Sequence, residues 1–237
     1  MRQMGYARED ENWFDDAFVA DWLGRQQARA PERERQFAMI RALVPRRTDE
    51  RFRYMDIGGG DGWLDEWLLE RFTKAEALIH DGSPAMLKQA QARLKRFGGR
   101  AQFIEADLST PDWVERVPGT LDLVVSTIAI HNIEDPKRCR LMYREMGQLV
   151  NPGGMFMNFD YVRAPHPSLG DLYRFASSDE APGFLAVRGY RDFLGTVDEH
   201  LAWLTEAGFG PVDCFWREFR IALFGGFKGV PKVPDAR

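Results

Sequence analysis

Cysteine is scarce in this chain, basic charge has no surplus, and long apolar runs are missing. Cys139 and Cys214, the only cysteines, fall on a predicted helix and a predicted strand, with no Cys-x-x-Cys pair and no nearby histidine pattern. That argues against a disulfide framework or a thiolate metal centre and for two reduced core thiols. With 32 basic and 36 acidic residues the formal net charge is -4, and the two signs are well mixed. A nucleic-acid partner, which needs a basic stripe facing phosphates, is therefore not expected. No apolar stretch approaches the roughly 18 residues of a membrane helix, and Met1-Arg2-Gln3-Met4-Gly5 has no apolar signal core. These readings predict a cytoplasmic protein with no membrane partner. There is no internal repeat, and 237 residues suit one large domain.

What is present begins with Tyr54-Met55-Asp56-Ile57-Gly58-Gly59-Gly60-Asp61-Gly62-Trp63. An apolar run ends in a carboxylate, glycines follow at alternate positions, and an amphipathic segment opens at once. The pattern reads as strand, tight turn and helix. A turn without Cβ atoms lets backbone approach a ligand closely, and the helix behind it presents unsatisfied N–H groups. A dinucleotide fingerprint would require a small third glycine where Trp63 stands. Asp56, at the strand terminus, would repel a pyrophosphate and attract an ammonium or sulfonium ion.

Ahead of this turn, residues 1–50 are predicted to form a helical cap. One helix spans 13–23, and a second is opened by Pro31, carries Phe37, Met39, Ile40, Leu43 and Val44 on one face, and is stopped by Pro45. Beyond it, residues 51–237 alternate strand and helix. Strands are expected at 77–81, 101–106, 121–127 and 155–162, with helices capped by Ser83-Pro84 and Asp135-Pro136 and a turn at Asn151-Pro152-Gly153-Gly154. Thr196-x-x-Glu199 forms a capping box for a last helix ended by Gly208, in which His200 is expected to be solvated. Two closely spaced β segments at 212–216 and 219–224 should pair antiparallel. The stretch 163–195 breaks the rhythm with prolines, glycines and aromatics, which suggests a lid-like insertion. The fold class is α/β: a Rossmann-like seven-stranded sheet, mostly parallel with an antiparallel C-terminal hairpin, and helices on both faces.

Ligands of such sheets bind beyond the carboxyl ends of the strands. Asp81 ends the second strand, where a carboxylate can accept both hydroxyls of a ribose. Asp107 ends the third and can accept from an adenine amino group, with Leu108 offering its backbone N–H. His80 should pack against a neighbouring helix. In order, Asp56-x-Gly58-x-Gly60-x-Gly62, Ile79-His80-Asp81-Gly82-Ser83-Pro84-Ala85-Met86-Leu87, Glu105-Ala106-Asp107-Leu108, Leu121-Asp122-Leu123-Val124-Val125-Ser126 and Leu149-Val150-Asn151-Pro152-Gly153-Gly154 resemble the motifs of class I S-adenosylmethionine-dependent methyltransferases. The resemblance runs over about 35–227 and is closest to the stand-alone small-molecule enzymes.

That resemblance implies S-adenosylmethionine as cofactor, held by Asp56, Gly58, Gly59, Gly60, Gly62, Asp81, Gly82, Met86, Asp107, Leu108, Ser126 and Thr127. The expected reaction is in-line methyl transfer to a small-molecule oxygen or nitrogen, more than carbon, releasing S-adenosylhomocysteine. Positioning and desolvation can supply most of the catalysis. Where the acceptor must lose a proton, His131, in the loop after the fourth strand, has suitable basicity. Trp13, Tyr161, His166 and Tyr173 are the expected acceptor contacts. Asp122 and Glu134-Asp135 lack the oxygen-rich spacing of a divalent-ion site, so the enzyme is read as metal-independent. Two other readings share these motifs: a non-catalytic S-adenosylmethionine-binding regulatory protein, and an enzyme that modifies S-adenosylmethionine itself.

Overall fold

The computed structural model describes residues 12–27, 30–176, 195–231 and 234. The reading of residues 1–5, and the part of the insertion carrying Pro182, Gly183, Phe184, Gly189, Tyr190 and Phe193, lie outside the described residues. Seven strands form one sheet: β1 (Arg53–Ile57), β2 (Glu76–Asp81), β3 (Ala101–Glu105), β4 (Leu121–Thr127), β5 (Val150–Tyr161), β6 (Val212–Glu218) and β7 (Ile221–Phe227). Their order is β3-β2-β1-β4-β5-β7-β6. The first five are parallel, and β7 inserts between β5 and β6 antiparallel to both. This is the mostly parallel sheet with a C-terminal hairpin that the alternating pattern implies.

Alternate residues of each strand feed two cores. Met55, Ile57, Val124 and Phe156 face one side; Tyr54, Leu123, Val125 and Met157 face the other. The first side is covered by α5 (Pro136–Leu149) and α7 (Val197–Glu206) through Met142, Met146 and Leu204. The second is covered by α2 (Ala30–Leu43), α3 (Trp63–Arg71) and α4 (Pro84–Leu94) through Phe37, Leu64, Leu68 and Leu94. Burial on both faces explains why β4 reads as a nearly continuous apolar run rather than an alternation. The remaining helices are α1 (Asp16–Gln27) and α6 (Pro167–Ala176). Among the described residues no helix is long and apolar enough to cross a membrane.

Local chemistry sets the ends of these elements. Ser83 Oγ accepts from Met86 N at 3.1 Å, and Asp135 Oδ1 from Lys137 N at 2.8 Å. The Thr196–Glu199 capping box closes in both directions. The first helix begins at Asp16 rather than 13, because Asp15 Oδ1 accepts the Phe18 N–H at 2.8 Å and starts the helix there. The Asn151-Pro152-Gly153-Gly154 segment is not a turn ahead of the fifth strand. It lies inside β5, where pairing jumps from Leu121↔Val150 to Leu123↔Met155 and the extra residues are taken up as an irregularity. His200, expected in solvent, is only 5% exposed. Its Nδ1 lies 2.9 Å from the Tyr143 hydroxyl and its ring packs against Trp203 and Phe224, so the helix turns this histidine to the core.

Candidate active site

Strand order reverses between β1 and β4, and the loops leaving the carboxyl ends of β1 to β5 surround that point. A cavity of about 1000 Å³, counting its open mouth, lies there. Its floor is the glycine turn. At Gly60 φ is +57° and a Cβ would meet nothing within 4 Å, so this residue combines a left-handed backbone with an open face toward the cavity. Gly58 serves another purpose: a Cβ there would stand 2.3 Å from the Ala129 Cβ, so the turn and the loop after β4 touch backbone to side chain.

Asp81 supports the turn from β2. Its Oδ2 accepts from Gly60 N at 2.9 Å and its Oδ1 from Ser83 N at 2.8 Å. Burial pushes its carboxyl up to about 6, with the backbone N–H groups pulling the other way. Asp107, at the end of β3, accepts from Ser109 N at 2.8 Å and from the Ser109 hydroxyl at 2.6 Å, which holds its carboxylate at the cavity wall. Gly82, Met86, Leu108 and Thr127 also line the cavity. His80 packs against Trp113, in a 3₁₀ turn, and lines the wall as well. Burial lowers its pKa to about 4, with the Ala106 backbone pulling the other way, so it is neutral.

Three expected cofactor residues are placed elsewhere. Asp56 is 1% exposed and lies under the turn, facing Asp65 of α3, rather than reaching the cavity. Burial and the neighbouring Asp65 and Asp81 carboxyls raise its pKa well above the ordinary carboxylate value. Ser126 is sealed within the sheet and donates to Ile57 O at 2.9 Å. Gly62 stands against α4, where a Cβ would come within 2.8 Å of Leu94 Cδ1; it permits helix packing rather than ligand contact.

A second, smaller cavity of about 290 Å³ adjoins the first across Ile133, which lines both. His131 lines this one and not the first. Its Nδ1 is 2.7 Å from Asp160 Oδ1, and its backbone N–H donates to Asp160 Oδ2 at 2.9 Å. Asp160 also accepts from Tyr161 N at 2.8 Å and is 2% exposed. A carboxylate only accepts, so Nδ1 carries the hydrogen, and in the neutral ring the lone pair is on Nε2. The Tyr161 ring stands edge-on to the imidazole, with centroids 5.0 Å apart. The loop bearing His131 is bracketed by two non-glycine residues in the left-handed region, Ile128 at φ +51° and Glu134 at φ +54°. Each costs on the order of 1–3 kcal/mol, which the surrounding contacts must hold, among them the Ile128 N to Phe159 O bond at 2.8 Å.

Of the expected acceptor contacts, only Tyr161 lines this cavity. Trp13 is on the cofactor side instead, in an edge-to-face aromatic cluster with Phe18 and Trp22, its carbonyl accepting from the Ser83 hydroxyl. His166 is exposed and caps the start of α6 by accepting from Ser168 N at 3.2 Å; Tyr173 packs on Phe219; neither lines either cavity. Asp122 is likewise structural, accepting from Arg53 N and Asn151 Nδ2. Sequence reasoning missed Asp160, although a lone acid within the apolar run 155–162 is costly to bury unless it has a partner. It also missed Arg33 and Trp22, for which the helical pattern carries no signal.

A family model described as a methyltransferase domain matches residues 55–154, from β1 into β5. The trans-aconitate 2-methyltransferase of Methylobacterium nodulans is 29% identical over 214 residues, covering 90% of this chain and 77% of that one. An O-methyltransferase family protein from Burkholderia thailandensis shares the fold with a TM-score of 0.70 at 18% identity, over 94% of this chain and 63% of its own. The structure of PigF with SAH gives a TM-score of 0.63 at 19% identity, over 93% of this chain and 63% of its own. Sheet order, glycine turn and acids at neighbouring strand ends define a Rossmann-like protein with an open cavity at the switch point. With the domain match over that same region, residues 55–154 are similar to a methyltransferase domain and the chain as a whole is similar to S-adenosylmethionine-dependent methyltransferases.

Proposed function

We propose that the protein methylates a small-molecule acceptor that presents an O–H or N–H group to His131 in the second cavity. The reading is carried by the His131–Asp160 pair, 2.7 Å apart, in the second cavity, which meets the first at Ile133. The first cavity fits S-adenosylmethionine: its floor opens at Gly60, and Asp81 and Asp107 stand at adjacent strand ends with lone pairs for ribose hydroxyls and an adenine amino group. When bound, S-adenosylmethionine supplies a methyl group on a sulfonium, which is electrophilic without further activation.

The chain's own residues supply position and proton control. Asp160 fixes the imidazole tautomer and offsets the charge it gains. Nε2 of His131 takes the acceptor's proton as its oxygen or nitrogen becomes nucleophilic. Ile130, Ile133 and Trp203 exclude water around that proton. An acceptor methylated at carbon would use the same base to form a carbanion, but the hydrogen-bonding edge of His131 matches a polar O–H or N–H better. The test is to incubate the purified protein with S-adenosylmethionine and panels of phenols, carboxylic acids and amines, and to follow S-adenosylhomocysteine. Turnover by a phenol, acid or amine that depends on His131 supports the reading; turnover indifferent to His131 overturns the role of the base.

A further inference from the structure

The acceptor cavity has walls of one charge. Glu134, Asp135 and Asp160 line it, and among the described residues that do so none is a lysine or arginine. The basic residues of the flanking elements face other acids: Arg138 of α5 bonds Glu145, Arg140 bonds Glu206, and Arg163, just past β5, bonds Glu199. Lys137, beside Asp135, is exposed. Two of the three lining carboxylates have structural duties, Asp160 at His131 and Asp135 as the cap of α5. A hydrogen bond from a backbone N–H leaves the carboxylate charge in place, so these groups still set the potential of the cavity.

α7 adds a buried polar group to the same wall. His200 lines the cavity and is 5% exposed. Its Nδ1 lies 2.9 Å from the Tyr143 hydroxyl, which leaves Nε2 as the nitrogen toward the cavity. A Cβ on Gly195 would stand 3.0 Å from Nε2 and 2.8 Å from the Trp203 ring, so the glycine keeps the space before both open. Burial holds the His200 ring neutral at ordinary pH, with its pKa lowered to about 4. A carboxylate or phosphate entering here meets like charge, and a neutral hydroxyl gains no Coulombic attraction. An ammonium gains from all three acids and from aromatic faces, which Tyr161 and Trp203 supply.

We propose that the acceptor is a small primary or secondary amine, drawn into the second cavity as its ammonium ion by Glu134, Asp135 and Asp160 and met there by Nε2 of His131 and of His200. The proposal rests on the reading of that cavity as the acceptor site. A bound ammonium selects the His200 tautomer in which Nδ1 donates to the Tyr143 oxygen and Nε2 accepts. The three acids also offset the repulsion between an ammonium and a neighbouring sulfonium. One N–H proton passes to His131 Nε2, and the freed lone pair forms the N–C bond as the C–S bond breaks with its electrons going to sulfur. The N-methylated product keeps one positive charge, and His131 returns its proton to water.

Calorimetric titration of the protein holding S-adenosylhomocysteine tests the binding step without turnover. The probes are an amine, an alcohol and a carboxylic acid on each of three skeletons: butyl, benzyl and phenethyl. At least one amine should bind roughly 10-fold or more tightly than its matched alcohol, with the acid weakest. No binding by any amine, or an alcohol or acid that matches its amine on every skeleton, overturns the proposal. Glu134→Gln combined with Asp135→Asn removes two charges while the asparagine still caps α5. The preference for the amine should fall several-fold and lose much of its dependence on salt; an undiminished preference overturns the role of the acids. Should the double variant fail to fold by circular dichroism, Asp135→Asn alone carries the test, with a smaller fall expected and no fall overturning it. With S-adenosylmethionine, mass spectrometry should find the N-methylamine, and His131→Ala should abolish it. Methyl transfer to alcohols or acids alone, dependent on His131, overturns the amine and leaves the acceptor site standing; transfer indifferent to His131 overturns the site reading itself.

Discussion

The two cavities share Ile133 and differ in how they are assembled. The cofactor side takes most of its wall from short segments where each strand meets its loop: the glycine turn after β1, Asp81-Gly82 after β2, Asp107-Leu108 after β3. The acceptor side depends on a pair 29 residues apart, His131 and Asp160, brought together by the parallel pairing of β4 and β5. Local chain geometry builds the first, and sheet register builds the second. Damage to one side should therefore leave the other working.

The largest test of that division is Asp160→Asn together with His131→Ala. Removing a positioned base lowers turnover by about 10²–10⁴-fold. The asparagine side chain would present an amide that no longer fixes Nδ1–H, and the loss it causes should approach that of His131→Ala. Calorimetry should find S-adenosylmethionine affinity unchanged in both, since neither residue lines the cofactor cavity. A fall in affinity as large as the fall in turnover would break the division.

Next comes pH. In the unfolded chain His200 takes a proton below its ordinary 6.5, whereas in the folded protein burial delays protonation to about 4. The unfolded state binds more protons in between, so stability from this group is complete above pH 6.5 and is lost as pH falls toward 4, by about 3 kcal/mol. His80, on the cofactor side, shifts the same way to about 4. Asp81 opposes both: its raised folded pKa of about 6 makes the folded state gain as pH falls from 6 toward 4. Urea titrations of His200→Leu at pH 7 and pH 5 should show a shallower loss than wild type. The lost Tyr143 hydrogen bond is independent of pH and changes the intercept, not the slope. An unchanged slope would mean that His200 titrates normally.

Smaller again is Asp81→Ala, which should weaken S-adenosylmethionine binding by about 1.5–3 kcal/mol, the scale of hydrogen bonds to a charged group. The turn also loses the acceptor for Gly60 N and Ser83 N. Calorimetry measures the loss, and turnover at saturating cofactor should fall far less. Unchanged affinity would remove Asp81 from the ribose role.

The same contrast explains what could be read from the sequence. Strand-end acids and alternate glycines are local signals, so the sheet, its C-terminal hairpin and most of the first cavity's wall follow from short patterns. Side-chain direction does not. Asp56 and Ser126 sit at correctly predicted strand ends, yet their side chains point into the layers, Asp56 toward Asp65 and Ser126 toward Ile57 O. Trp13, an expected acceptor contact, is carried to the cofactor side by the docking of α1 on α4 through Val19 and Met86. Asp160 and Arg33 become visible only when separate elements are brought together.

The smallest effect on either side is expected from Gly58→Ala, the one substitution that should reach both. The new Cβ would lie 2.3 Å from the Ala129 Cβ, and φ of +65° disfavours any side chain. Overlap of this kind costs about 1–2 kcal/mol once neighbours shift. The neighbour that must shift is the loop leading to His131, which is tethered to β5 through Phe159 O and Asp160. Cofactor affinity and turnover should therefore fall together, each modestly, unlike the separate losses at Asp81 and Asp160. Adding Ala129→Gly removes the other half of the overlap and should recover much of both, a coupling that a double-mutant cycle reads directly. If the second substitution recovers nothing, the cost lies in the backbone at residue 58 alone, and the two cavities are mechanically independent despite their shared wall.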